Sequence, residues 1–214
     1  VANTDTINTQ KFGLEGRFAF TKDLFQTRTD PETGKNRGYG CTILFPKTAD
    51  LAPLKDLAVQ AAVAQWGDKA KAWLADGTIK SPFLDGDGKQ GRSNKTGERH
   101  PGYEGHVFIR ASSGPDYKPG VFVPDGNGFS PATPETFYSG CYGFAGLNAF
   151  TWDNPKNGKG VTFGVSIVAK SRDGEKLGGG GAPSDPNAFF EAIPDEGEAP
   201  KETAGGSGAA GFFG

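Results

Sequence analysis

Three groups of residues in this 214-residue chain have types and spacing that could do chemistry. The first lies in the alternating segment 106–112, where Val107, Ile109 and Ala111 share one parity and His106, Phe108 and Arg110 share the other. With the aliphatic set facing a core, Phe108 turns outward between basic neighbours. That suits solvent poorly. It suits an unpaired base, which can stack on the ring while Arg110 meets a phosphate. The same alternation also fits a phenylalanine packed under a neighbouring loop or helix, so the pattern leaves both arrangements open. The second group is the loop 89–103, carrying Lys89, Arg92, Lys95, Arg99 and His100, then Tyr103, with Glu98 as its one acid. Fixed cations on a glycine-bearing loop that ends in an aromatic suit contact with the backbone of a single strand. Lys35 and Arg37, with Arg28 upstream, form a smaller basic group. The third group is the row Tyr142, Phe144, Phe150 and Trp152, interspersed with Gly140, Gly143 and Gly146. These aromatics either fill a core or line a concave face, since glycines in a strand mark bends or close approach of another chain.

Catalytic and metal constellations are thin. Asp85-Gly86-Asp87-Gly88 lacks the ligand spacing and closing glutamate of a calcium loop and reads as a turn. Cys41, Cys141, His100 and His106 total the ligand count of a zinc site, but no pair has the required spacing. The chain has no nucleophile elbow, Walker loop or dinucleotide-binding fingerprint. The sequence therefore predicts a non-enzymatic protein with no cofactor and no metal.

The elements that must position these groups follow from composition and periodicity. The 34 glycines and 15 prolines make up nearly a quarter of the residues, which disfavours a helical bundle and favours short strands with many turns. Period-two alternation predicts strands over 12–20, 39–45, 106–112, 139–152 and 159–170. The first would place Phe12, Leu14, Phe18 and Phe20 on one face. Leu54, Leu57, Ala58, Ala61, Ala62 and Trp66 have helical spacing from Pro53 towards Ala75, with Asp50 placed to cap, Gly67 to divide and Gly77 to end the run. Five strands with a helical insertion predict a mainly β chain, a Greek-key barrel of the OB type. The connection between the first two strands of such a barrel borders its binding groove, which would place Lys35 and Arg37 there. No stretch is long and apolar enough to span a membrane, and two cysteines suit a reducing cytoplasm.

Charge divides the chain. Residues 1–182 hold an excess of three bases, whereas residues 183–214 hold six acids, Glu196 and Glu198 among them, and one base. The latter segment also contains a Gly/Ser/Ala run and ends in Phe212-Phe213-Gly214. Such a composition predicts a flexible acidic tail that competes for a basic groove at high effective concentration and offers aromatics to partner proteins.

The motifs Phe137-Tyr138-Ser139-Gly140-Cys141-Tyr142, Lys159-Gly160-Val161 and Arg172-Asp173-Gly174-Glu175 resemble those of a tailed-phage family of single-stranded DNA-binding proteins with an OB fold, once catalogued as a domain of unknown function. Leu84-Asp85-Gly86-Asp87 and Leu44-Phe45-Pro46-Lys47 fit the same pattern, and the likeness spans most of 11–181. The resemblance implies sequence-tolerant binding of single-stranded DNA in replication, recombination or repair, without catalysis, in the host cytoplasm. It also implies phage or host replication proteins as partners of the C-terminal tail. Phe108, Arg110 and Tyr103 are then the first candidates for DNA contact, followed by Arg92, Lys95, Arg99, His106, Lys35 and Arg37, with Trp152 last. A virion or scaffold protein that self-associates is the alternative.

Overall fold

The structure, a computed structural model, describes residues 2–178; the acidic segment 183–214, with Glu196, Glu198, Phe212 and Phe213, lies outside the described residues. Ten strands and two helices follow in order: β1 (Ile7–Asn8), β2 (Gly16–Ala19), β3 (Tyr39–Pro46), α1 (Ala52–Trp66), α2 (Lys69–Ala75), β4 (Ile79–Lys80), β5 (Leu84–Asp85), β6 (His106–Ser113), β7 (Gly120–Asp125), β8 (Gly128–Pro131), β9 (Tyr142–Asn154) and β10 (Gly158–Arg172). The sheet runs β2-β3-β6-β10, and β9 pairs with both β10 and β2, which closes a five-stranded barrel. The pairing of β6 with β10 is parallel and the other four are antiparallel. This is the OB barrel that the strand pattern predicts.

Its interior is filled by Phe18, Ile43, Phe45, Ile109, Leu147 and Phe163, all at most 2% exposed. Phe137 adds an edge-to-face contact on Phe18 with ring centroids 5.0 Å apart. Helix α1 buries Leu54, Leu57, Ala58, Ala61 and Ala62, the residues its periodicity selects. Its first turn begins where the Asp50 carboxylate accepts the Ala52 N–H at 2.9 Å. The small residues at 58, 61 and 62 let the helix lie close on β9 and β10, so it closes the barrel without widening it.

Three expectations about the elements change. The first predicted strand is shorter: residues 9–12 form a 3-10 turn, and Gly13 breaks the extension at φ 66°. Leu14 and Phe18 are buried as predicted, but Phe12 and Phe20 are about half exposed. Alternation over 159–170 puts Val161, Phe163, Val165 and Ile167 on one face, but strand β10 carries a bulge at Ser166, which turns Ile167 outward and brings Val168 into the core instead. Finally, β7 and β8 form a hairpin that the strand list omits; β7 lies parallel beside β10 at Ile167–Ala169.

The motifs behind the family resemblance fasten the two ends of the β9–β10 hairpin. The Tyr138 hydroxyl donates to Asp173 Oδ1 at 2.7 Å, and the Arg172 guanidinium lies 3.5 Å from the Tyr142 ring centre. Arg172 also pairs with Glu15 at 2.7 Å, tying β10 to the turn before β2. These residues hold the barrel seam closed.

Candidate nucleic-acid interface

Strand register places three outward rows across the barrel wall. One runs Gly40–Ser112–Gly164–Asn148 over β3, β6, β10 and β9. In the next, Thr42 pairs with Arg110 and Thr162 with Phe150; the Thr162 hydroxyl donates to the Arg110 carbonyl at 3.5 Å. In the third, Leu44 pairs with Phe108 and Gly160 with Trp152. Two of the three residues that β3 contributes, and all three from β10, are glycine or threonine, so these two strands lie low beside the larger side chains of β6 and β9.

Two openings share this wall. The larger, about 900 Å³, is lined by Ser112, Gly164, Asn148 and Phe150, with Arg37, Tyr117 and Lys118 on its rim. Tyr117 is 76% exposed and carries a ring that nothing in the fold requires. The smaller, about 200 Å³, lies on the β3 side between Thr42, Gly40, Arg110, Arg28, Phe20 and His100. The Gly40–Ser112 and Thr42–Arg110 pairs make the floors of the two continuous. Together they form a channel across the strands with four cations along it, Arg28, Arg110, Arg37 and Lys118, against two acids, Asp23 and Asp116.

Charge separates this channel from two other clefts. A cleft of about 650 Å³ beside α1 carries Asp5, Asp50 and Asp56 and would repel a phosphate chain. The other, about 380 Å³, is an apolar groove of Ile7, Phe122, Phe129, Phe144 and Ile167 without a cation. Neither suits a polyanion.

The residues expected from sequence are distributed unevenly with respect to the channel. Phe108 does point to the outer side of β6, but it is fully buried there. Tyr103, 2% exposed, covers it at 4.9 Å between ring centroids, and Ala19, Leu44, Leu84 and Leu177 complete a second small core. Burial also raises the Tyr103 pKa above its ordinary value. Stacking of a base on Phe108 or Tyr103 is therefore excluded in this arrangement: the loop leading into β6 folds over the strand and takes the apolar surface first. Arg110, next on the same face, remains exposed, with its guanidinium 5.7 Å from the Phe108 ring centre.

The basic loop also changes character. Arg99 sits 3.8 Å from Asp87 and 3.5 Å from Glu104, while Lys47 bridges Asp85 and Asp87 at 2.8 Å each. Lys47 holds the pKa of both aspartates below the usual carboxylate range. Arg99 is thus a brace of the loop rather than an available cation. Arg92 and Lys95 stay exposed on the short hairpin around the Arg92–Arg99 bridge, Arg92 donating to the Gly97 carbonyl at 3.2 Å. His106 donates from Nδ1 to the Glu104 carbonyl, 2.6 Å away, and does not line the channel. Lys35 and Arg37 are exposed in the β2–β3 connection, where Arg37 clamps Asp30 with two nitrogens and borders the larger opening.

The aromatic row divides. Tyr142, Phe144, Phe150 and Trp152 all point away from the core, and Ala145, Leu147, Ala149 and Thr151 point into it. Phe150 enters the channel, whereas Phe144 joins the apolar groove. Trp152 covers Gly160, where a Cβ would come within 2.4 Å of the indole, and Lys80 approaches its ring at 5.8 Å. Sequence reasoning missed Phe20, Tyr117 and Lys118. The last two were visible as an aromatic–lysine pair in a Gly/Pro loop between strands.

A family model described as Enterobacter phage Enc34, ssDNA-binding protein, matches residues 11–199. The chain belongs to that family. Protein p50 of Acyrthosiphon pisum secondary endosymbiont phage 1 is 30% identical over 154 residues, covering 68% of this chain and 75% of that protein. The single-stranded DNA-binding protein from bacteriophage Enc34, solved in complex with ssDNA, is 19% identical with a TM-score of 0.51, over 77% of this chain and 87% of that one. A C-terminal truncation of the same Enc34 protein is 20% identical with a TM-score of 0.51, over 76% and 85% of the two chains. At these identities the likeness establishes a shared barrel.

Proposed function

We propose that the chain binds single-stranded DNA, without catalysis, in the channel over β3, β6, β10 and β9, and serves phage replication, recombination or repair in the cytoplasm of an infected host. Arg110, Arg37 and Lys118 meet phosphates, and Phe150 and Tyr117 offer ring faces to bases. The observation that carries the reading is the coincidence of cations and accessible aromatics on one OB wall. Stacking is sequence-tolerant because every base has a π-face, and each stacked base contributes about 1–3 kcal/mol. Family membership supports the same ligand. The C-terminal acids, Glu196 and Glu198 among them, compete with phosphates for these cations, and Phe212 and Phe213 serve partner proteins; this part of the reading rests on sequence alone.

Fluorescence anisotropy of labelled oligo-dT, beside a duplex of equal length, at two salt concentrations tests the proposal. Preference for the single strand is expected, with log affinity falling against log salt by about 0.7 per phosphate neutralised. Removal of residues 183–214 is expected to tighten binding at low salt. Equal affinity for both nucleic acids would remove the channel as a single-strand site, and an unchanged affinity after truncation would remove the tail from the competition.

A further inference from the structure

The small opening on the β3 side has features that a phosphate track alone does not need. Phe20 is the one non-glycine residue with positive φ among the described residues, at 55°. A phenylalanine is disfavoured there on steric grounds, and it is further disfavoured in water, yet this one is 49% exposed. Strain kept at an exposed aromatic is grounds for a functional hypothesis. The His100 ring meets Phe20 edge-on, at 5.3 Å and 87°, fixing the phenyl while leaving ring surface in solvent.

The polar groups opposite Phe20 are incompletely used. Burial raises the pKa of Asp23, and only the charges of Arg28 and Lys22 oppose that shift; no hydrogen bond contributes. Arg28 donates from Nη2 to the Tyr39 carbonyl at 3.0 Å, but its buried Nε has no partner among the described residues. Gly40 makes room for that guanidinium, since a Cβ there would stand 2.9 Å from Nη2. The Asp23 carboxylate and a guanidinium with a buried, unpartnered Nε thus border a cavity of about 200 Å³ that Phe20, His100 and Tyr103 also line.

We propose that this cavity takes one base of the bound strand, stacked on Phe20, and selects guanine through Asp23 and Arg28. The assignment rests on the single-strand reading above and deepens it. Guanine alone among the four bases presents two adjacent donors, N1–H and the 2-amino group, to a carboxylate, with the O6 acceptor beside them for a guanidinium. Cytosine and adenine offer a carboxylate one amino group, and thymine one imino proton. Arg110 and Thr42 line the cavity and belong to the row that also holds Thr162 and Phe150, which joins it to the channel along which the strand continues. The protein would then be tolerant along most of its track and selective at one position.

Anisotropy competition tests this with the full chain. Unlabelled oligo-dT is compared with the same oligomer carrying a single guanine, and again with a single hypoxanthine, which lacks the 2-amino group. The guanine oligomer is expected to compete about fivefold or more better than oligo-dT, the lower end of discrimination by a bidentate contact. Hypoxanthine is expected to lose most of that advantage. In Asp23→Asn, which keeps side-chain size, the guanine advantage should vanish while oligo-dT still binds, the latter also reporting that the variant is folded. Equal competition by all three oligomers in the wild-type protein, with oligo-dT bound, overturns the pocket but leaves the channel. A guanine advantage that persists in Asp23→Asn also overturns it, placing recognition elsewhere. Failure of every oligomer to bind would instead remove the single-strand reading itself.

Discussion

Phe108 and Phe150 occupy comparable places on two strands of one barrel, both with their side chains on the outer wall, and they meet opposite fates. Phe108 on β6 is roofed by Tyr103, Leu84 and Leu177 and becomes the centre of a second core. Phe150 on β9 has Thr162 opposite it and Asn148 beside it on the same face, and stays partly exposed in the channel. Parity fixes which side of the wall a residue faces. Whether that side is wet depends on loops that arrive from elsewhere in the chain.

The largest effect that would sharpen this contrast is on stability. Phe108→Ala is expected to cost about 3–5 kcal/mol, because Tyr103 and Leu44 cannot collapse into the space of a phenyl ring. Thermal unfolding should show a clear fall in midpoint, by about 2–4 °C for each kcal/mol at this chain length. A variant that melts like the wild type but binds DNA poorly would restore Phe108 as a stacking residue and break the comparison.

The converse experiment is Phe150→Ala. Its expected cost in oligo-dT affinity is about 1–3 kcal/mol, roughly five- to 150-fold, with the unfolding midpoint little changed. Phe144→Ala, in the apolar groove three pleat repeats away on the same face of the same strand, is the control and should leave affinity unchanged. If the two variants lose affinity equally, the strand of DNA follows β9 along its length rather than crossing it, and the channel drawn from register is wrong.

What sequence could and could not reveal follows the same division. The core parities of β3 and β6 and the buried face of α1 were legible because each is a local period set by backbone geometry. Residues 12–20 mimicked a strand, since Phe12, Leu14, Phe18 and Phe20 alternate, but Gly13 at positive φ and the left-handed Phe20 interrupt it at both ends. The Ser166 bulge exchanges Ile167 for Val168 in the core, and either residue is an acceptable core side chain, so no composition signal marks the exchange. The β7–β8 hairpin had a signal, a glycine-flanked turn at Gly126 and Asn127 between apolar runs, that the strand count passed over. The candidate site was harder to read. Counting charges within 89–103 overlooked Asp85 and Asp87, which precede the loop yet fold back onto Lys47 and Arg99. Phe20, Phe150 and Lys118 converge only through the barrel, and nothing local to any of them announces it.

The smallest expected effect concerns the roof that separates the two phenylalanines. Asp87 accepts from the Gly105 N–H at 3.2 Å and pairs with Lys47 and Arg99, so one carboxylate ties the start of the 85–105 loop to its end and to β3. Lys47 and the Gly105 N–H lower its folded-state pKa. Unfolded, the same carboxyl titrates near the ordinary aspartate value of about 3.9. The folded state therefore binds this proton less readily than the unfolded state, and the stabilisation is present above that value and lost as pH falls through it towards the folded pKa. The group is solvent-exposed, so the loss is local and modest. Amide hydrogen exchange of residues 85–105, corrected for its intrinsic pH dependence, should accelerate below about pH 4 before β3 or β10 does. Asp87→Asn should raise the exchange at neutral pH and flatten most of its acid response, Asp85 leaving a remainder. Acid-insensitive protection of this loop in the wild type would mean that Tyr103 and Phe108 hold the roof by apolar packing alone, with the ionic brace contributing nothing to keeping Phe108 dry.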